Sequence, residues 1–463
     1  MEGRDLEIGQ DSGTKLEISI HRAYPEPAND DQIFLKEIKE AVKYLGGENK
    51  ESVQQITKIQ RVSLLMLREE KYSDYFVPRE MPIGPIHADS EKVEVKQLKL
   101  KLAAKFIMSS GQTHEYLLQV VKDVVPTLKI CFDANVIKLF DDEQLARMLF
   151  LDGCSVLQFI HSYVRNELKE LQIKNTQVVS IQDDLFLLEN QIPFEVLDHL
   201  MDSMSEGAVN KDALEQSLHQ FVGMNLLAPQ ESSIDNKKAP LHLLDLLQQK
   251  LLHNSKSNGD YKTHNRQFNK VSKRSFPNIQ NLRAAGIKLQ SSGSSCLRDV
   301  TFTCIGWFRG RLKLPQLIVD DSTERKLWNL VAYEMCPDNH NSEYGVTSYL
   351  SFLDSLIDNE EDVSQLRSAQ ILRNRLGSDA QVLKLFDEMS YTFVSDHVYQ
   401  HVGDAIQKYY DKIRSTGTMN LRIQIAQIYR GLVNHGWISV ALQLSIILLI
   451  LTAIQTWFTI YPR

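Results

Sequence analysis

The sequence predicts a mainly α protein: a large helical domain, a small β element near residues 296–319 and a C-terminal transmembrane helix. Three observations predict it. Apolar residues recur at helical spacing, with capping residues ahead of them, from Val93 to Leu252 and again from Leu327 to Val433. Between Cys296 and Val319 the character changes, and β-branched and aromatic residues alternate. From Ile438 to Ile460 there is no charged residue, no glycine and no proline.

The chain of 463 residues is long enough for two or three domains, or for one large one. With 43% hydrophobic and 24% charged residues it has an ordinary globular composition, and a net charge of −7 argues against a nucleic-acid partner for the whole chain. Residues 1–55 read as a variable, partly disordered N-terminal region. It is polar and mostly acidic at its start and carries Pro25 and Pro27, and Ile33–Leu45 shows helical spacing before Gly46-Gly47. Residues 56–253 form the first helical half of the main domain and residues 276–436 the second. Between them, residues 254–275 are a basic flexible linker, with Lys256, Lys262, Arg266, Lys270, Lys273 and Arg274 against Asp260.

Within the first half, Val77–His87 contains Pro78, Pro82 and Pro85, which forbid a regular helix and favour an extended strap. Val93–Met108 is amphipathic. Glu115–Phe132 follows, with Pro126 expected to kink it. Asp141 with Gln144 opens the next helix, whose middle holds Asp152 and Gly153. An acid and a glycine are unfavourable in an apolar helix, so a specific partner is expected there. In the string Glu189-Asn190-Gln191-Ile192-Pro193-Phe194, Pro193 suits a helix start, Asn190 or Gln191 can cap it, and the reading is structural. Leu214–Leu227 and Leu241–Leu252 are further helices.

In the second half, Ile279–Ala285 is a short helix, and a hairpin is expected across Phe308-Arg309-Gly310-Arg311. Asp320 and Asp321 resemble a paired carboxylate, but Asp321 with Glu324 makes a cap for the following helix. Tyr349–Ile357 is helical, Ser378 with Gln381 is a capping box, and His397–Ile413 and Leu421–Val433 complete the helices.

Residues 437–461 read as a tail anchor. Trp437 and Trp457 stand a membrane thickness apart, Tyr461 adds a ring at the distal end, and Leu448 and Leu449 fall at the centre. Lipid is therefore one expected partner. Lys408, Lys412, Arg414, Arg422 and Arg430 precede the anchor and Arg463 follows it, which places the bulk in the cytosol. The chain carries no Asn-x-Ser/Thr acceptor, and Cys131, Cys154, Cys296, Cys304 and Cys336 lack Cys-x-x-Cys spacing, as expected of reduced thiols. No Gly-x-Gly-x-x-Gly, P-loop, His-Glu-x-x-His or Gly-x-Ser-x-Gly motif occurs, and no cofactor, metal or catalytic residue is expected.

An ordered set of strings carries a resemblance. It runs through Arg61-Val62, Leu67-Arg68, Ile83-Gly84-Pro85, Leu151-Asp152-Gly153-Cys154, Leu188–Phe194, Leu282-Arg283, Ala285-Gly286-Ile287, Asp320-Asp321-Ser322-Thr323-Glu324, Val346–Tyr349 and Leu376–Asp379. Across about residues 56–461 the chain resembles the plant family called domain of unknown function 247. It departs from the family pattern at Ser63, where proline is usual, and at Ile86-His87-Ala88-Asp89, where Tyr-His-His-Gly is usual. The resemblance implies a largely helical, membrane-associated plant protein without an established activity. Some grass members are implicated as pollen-side self-incompatibility determinants, which is a recognition role. The expected function is therefore non-catalytic recognition or signalling at a membrane through an unidentified protein partner, with the N-terminal region and the strap as candidate contact surfaces. The alternatives are an enzyme of unrecognised type or a structural or trafficking tail-anchored protein.

Overall fold

The computed structural model describes residues 36, 38, 39, 59–64, 66–67, 70–205, 209–227, 239–252, 277–305, 309–339, 344–390, 398–415 and 436–460. Met1–Gln55 form one unit, in which residues 36, 38 and 39 are helical. Ile56–Arg463 form the other.

The first half is organised on one long helix. We number the helices α1 (Val93–Ser110), α2 (His114–Leu128), α3 (Ala134–Ile137), α4 (Asp142–Val164), α5 (Asn175–Asp184), α6 (Phe194–Asp202), α7 (Lys211–Met224) and α8 (Leu243–Leu252). Helices α1, α2, α6 and α7 all pack on α4. The predicted capping box opens α4: Asp141 accepts from the Gln144 N–H at 2.7 Å and Gln144 accepts from the Asp141 N–H at 3.1 Å. From Asp152 to Ser162 every α4 residue is buried, because neighbours cover it on all sides. Pro126 sits inside α2, which nevertheless runs on to Leu128 before a 3₁₀ turn at Lys129–Cys131.

The second half mixes α and β. Helix α9 (Ile279–Ala284) leads into strand β1 (Ile287–Ser291). Strands β2 (Thr301–Ile305) and β3 (Arg309–Leu314) form the expected antiparallel hairpin, with Cys304 opposite Gly310. Its connection is 306–308, so Arg309, Gly310 and Arg311 belong to the strand and not to the turn. Strand β1 joins parallel to β3, giving the order β1-β3-β2, which the sequence reading did not foresee. Strand β4 (Leu317–Val319) pairs parallel with β5 (Leu372–Asn374). Helices α10 (Thr323–Glu334), α11 (Gly345–Asp354), α12 (Glu360–Ser368), α13 (Asp379–Ser390) and α14 (Gln400–Ser415) complete this half. The predicted Ser378–Gln381 box is made in both directions. The chain is thus mainly α, as expected, with more β structure than expected. One buried apolar cluster runs from Ile59 to Ile413. The predicted helix Leu421–Val433 lies outside the described residues.

Helix α15 (Gly436–Ile460) occupies the predicted anchor. The membrane-spanning reading is not borne out: among the described residues no helix is long and apolar enough to cross a membrane. Side chains in α15 are described over residues 443–457. There they are exposed, including Leu448, Leu449 and Trp457. The side chain of Trp437 and all of Tyr461 lie outside the described residues.

Candidate functional site

A proline-rich strap cannot satisfy its own backbone, so other groups must take up its amide donors. Between Phe76 and His87 the chain forms neither helix nor strand, and Met81–Ile86 is buried. Two buried carboxylates and one amide supply the missing acceptors, and a third buried carboxylate holds the chain just upstream. Asp184, at the C-terminal end of α5, accepts the N–H groups of Arg79 (2.9 Å), Glu80 (2.7 Å) and Met81 (2.9 Å). Asn190 accepts the Ile83 N–H at 2.7 Å and donates to the Met81 carbonyl at 3.1 Å. Asp152 accepts the Gly84 N–H at 2.8 Å. Glu189 accepts the N–H of Val62, upstream of the strap, at 2.7 Å.

Each carboxylate also meets a positive or ionisable side chain. Arg325 on α10 donates to Asp184 at 3.0 Å, and its other terminal nitrogen donates to the Val77 carbonyl. Lys99 on α1 lies 2.6 Å from Asp152 and 2.7 Å from Glu91. Burial alone lowers the Lys99 ammonium, but Asp152 and Glu91 outweigh it and hold it above its ordinary value. Glu189 lies 3.1 Å from His87 Nε2 and 3.9 Å from Arg61. Asn329 on α10 accepts the Leu188 N–H at 2.7 Å and donates to the Tyr75 carbonyl at 2.9 Å. The arrangement binds an extended backbone through its amide groups, as a peptide-binding groove does, with the chain's own strap as the peptide.

Two glycines make this approach possible. Gly84 has φ +69°, and a Cβ there would stand 2.5 Å from the Gln191 carbonyl oxygen. At Gly153 a Cβ would meet Leu200 Cδ1 at 2.7 Å and Val196 Cγ1 at 3.1 Å, so this glycine seats α6 against α4. The pair Asp152-Gly153 therefore does have a specific partner on each side, as its place in an apolar helix required.

The Glu189–Phe194 string is buried throughout. Its expected capping role is corrected. Helix α6 starts at Phe194 with Pro193 just ahead of it, and no side chain caps it; the Phe194 N–H instead donates to the Leu241 carbonyl at 2.8 Å. Asn190 faces the strap. Gln191 donates to the Leu185 and Leu187 carbonyls at 3.0 and 2.7 Å and accepts from the Leu244 N–H at 3.3 Å. The expected Asp321 cap before α10 is not made, and no side chain caps that helix. Asp320, not Asp321, accepts the Ser322 N–H (3.2 Å) and hydroxyl (2.9 Å) and the Thr323 hydroxyl (2.8 Å), while Asp321 is exposed. Glu324 instead accepts the Tyr75 hydroxyl at 2.5 Å.

The structure also bears on the strap as a contact surface. Val77 and Arg79 are exposed, but Met81–Ile86 is covered, so the strap presents its first residues only. Sequence reasoning missed Asp184, Lys99, Arg325 and Asn329. Charges within largely apolar helical stretches were the available signal. Cys154 is buried and its thiol is pushed up by burial, which keeps it protonated and a poor nucleophile.

Comparison with known proteins agrees with the resemblance. The chain is similar to the UPF0481 protein At3g47200 of Arabidopsis thaliana, 27% identical over 369 residues, covering 73% of this chain and 75% of the relative. It is also similar to the putative UPF0481 protein At3g02645 of Arabidopsis thaliana, 26% identical over 191 residues, covering 41% of this chain and 34% of the relative. No solved structure matches. The model of the DUF247 family, described as plant protein of unknown function, matches residues 59–451, which include the strap and every residue that holds it, and the chain belongs to that family.

Proposed function

We propose that this chain is a non-catalytic recognition or signalling protein, held at a plant membrane by its C-terminal helix and acting through contacts with another protein. The observation that carries the membrane part is α15: Leu444, Ile446, Ile447, Leu448, Leu449, Ile450, Leu451 and Ile454 are all exposed, around the whole circumference of one helix. An apolar surface of that kind needs an apolar medium. The recognition part is supported by the buried carboxylates of the first half, whose described bonds hold the strap and so set the shape of the surface above it. In this reading the bulk faces the cytosol. Pollen-side self-incompatibility, implied by the resemblance to grass members, would be one such recognition role.

The test uses the full chain expressed in plant cells. The pair Leu448→Arg and Leu449→Arg places two charges where each costs about 2.5–3.5 kcal/mol on insertion scales. The wild type should pellet with membranes and resist carbonate, whereas the variant should be released. Proximity labelling should return neighbours that the released variant loses. A variant that stays in the carbonate-resistant pellet sinks the anchor. An unchanged set of labelled proteins after release sinks recognition at the membrane.

A further inference from the structure

A second polar cleft, whose lining contains no strap residue, lies at the junction of the two halves. Its volume is about 260 Å³, and it is lined by the C-terminal end of α7 with the residues after it, by β4, the start of α10, and β5 with Arg375 beyond it. Three cationic side chains face it: Lys326, Arg373 and Arg375. Asp320 is the one carboxylate in the lining.

The carboxylate is already committed. Asp320 takes the Ser322 N–H and hydroxyl and the Thr323 hydroxyl. The cations are less so. Arg373 and Arg375 are exposed, and neither guanidinium has an ion pair or a side-chain hydrogen bond among the described residues. Lys326 is buried and donates to Asn225 Oδ1 at 2.9 Å and to Ser322 Oγ at 3.1 Å. An ammonium has three donors, so one is left for a ligand. Its nitrogen also stands 5.7 Å from the centre of the Phe186 ring. Two guanidinium forks and one fixed ammonium around a single hollow suit a tetrahedral oxyanion. Sequence placed Asp320 and Asp321 together as a possible paired carboxylate; Asp183 also acts on Lys326 from outside the cleft, but the lining itself carries three cations against one carboxylate.

We infer that the cleft bounded by Lys326, Arg373 and Arg375 binds a small phosphate-bearing anion. Its size sets the class. A cleft of about 260 Å³ falls just under the ~300–1,000 Å³ of sites for drug-sized molecules. A phosphate or a short phosphomonoester fits it, and a nucleotide does not. Lys326, held by Asn225 and Ser322, supplies a fixed buried cation, and Arg373 and Arg375 supply two exposed ones in the same lining. Asn225 precedes the linker and Lys326 follows it, so a bound anion would add a link between the two halves.

Isothermal calorimetry on the full chain in detergent tests this, with inorganic phosphate as the probe and chloride at matched ionic strength as the control. The wild type should bind phosphate saturably at one site. Arg373→Gln with Arg375→Gln, both exposed and therefore compatible with folding, should weaken binding at least tenfold. Lys138→Gln, an exposed residue outside the lining, should leave it unchanged. Glycerol 3-phosphate is the second probe, and tighter binding than phosphate would assign the ligand to phosphomonoesters, including lipid headgroups. Absence of saturable phosphate binding to the wild type overturns the site. So does equal binding by the Arg373→Gln/Arg375→Gln variant.

Discussion

At the scale of single residues, the fold depends on buried charges whose partners are backbone amides. Asp184 is fully buried and collects three strap N–H groups and the Arg325 guanidinium. Asp184→Asn keeps the shape but turns one acceptor into a donor facing N–H groups, and it leaves Arg325 unpaired. Losing one partner of a buried pair costs about 3–5 kcal/mol. Chemical denaturation should show a loss of that order, and a variant within about 1 kcal/mol of the wild type would contradict it. His242 gives a second expectation. Its Nδ1 accepts the Asp245 N–H at 3.1 Å, so the ring caps the start of α8, and its Nε2 has no partner among the described residues. Burial pulls its pKa down to about 4 from 6.5. The unfolded chain takes up this proton below pH 6.5 and the folded chain only near pH 4. The histidine's contribution is therefore intact above pH 6.5, is lost progressively as pH falls toward 4, and changes no further below that. The shift corresponds to about 3 kcal/mol. Asparagine is a good capping residue, so His242→Asn should keep the cap while flattening the stability profile between pH 6.5 and 4. An unchanged slope would exclude His242 as its source.

At the scale of elements, local chemistry was legible and long-range pairing was not. The Asp141–Gln144 and Ser378–Gln381 boxes are contained within four residues each, and both formed as read. The hairpin of β2 and β3 was visible in its alternation, but the parallel addition of β1 and the pairing of β4 with β5 join segments whose own sequences do not name a partner. Asn190 and Gln191 had the composition of caps, yet the strap and the start of α8 bind them more completely than α6 could. Gly153 shows the same limit. Its cost to α4 was evident, while its benefit, the close seating of α6, was not. Gly153→Ala improves helix propensity by about 1 kcal/mol. It also drives a methyl into Leu200 and Val196, which are buried on α6. Overpacking of this kind costs about 1–3 kcal/mol. The clash should win, so the variant should melt below the wild type. A higher melting temperature would mean that α6 can move away freely.

At the scale of the molecule, the basic stretch 254–275 interrupts the sequence without dividing the core. The buried apolar cluster takes side chains from both sides of it. Polar bonds cross as well. The Leu297 N–H donates to the Leu251 carbonyl at 2.8 Å, Gln248 donates to Glu334 at 3.1 Å, and Asn329 and Arg325 reach back to Leu188 and Asp184. Helix α10 therefore completes the strap groove built by the first half, and neither half closes its own core. A protease site inserted within residues 254–275 tests this. After cleavage the two pieces should co-elute in gel filtration and unfold in one transition, because their shared surface is core rather than a docking interface. Folding then becomes bimolecular, so the melting temperature should fall and rise again with protein concentration. Two separate transitions, or pieces that part under native conditions, would show two independent domains and would remove α10 from the support of the strap.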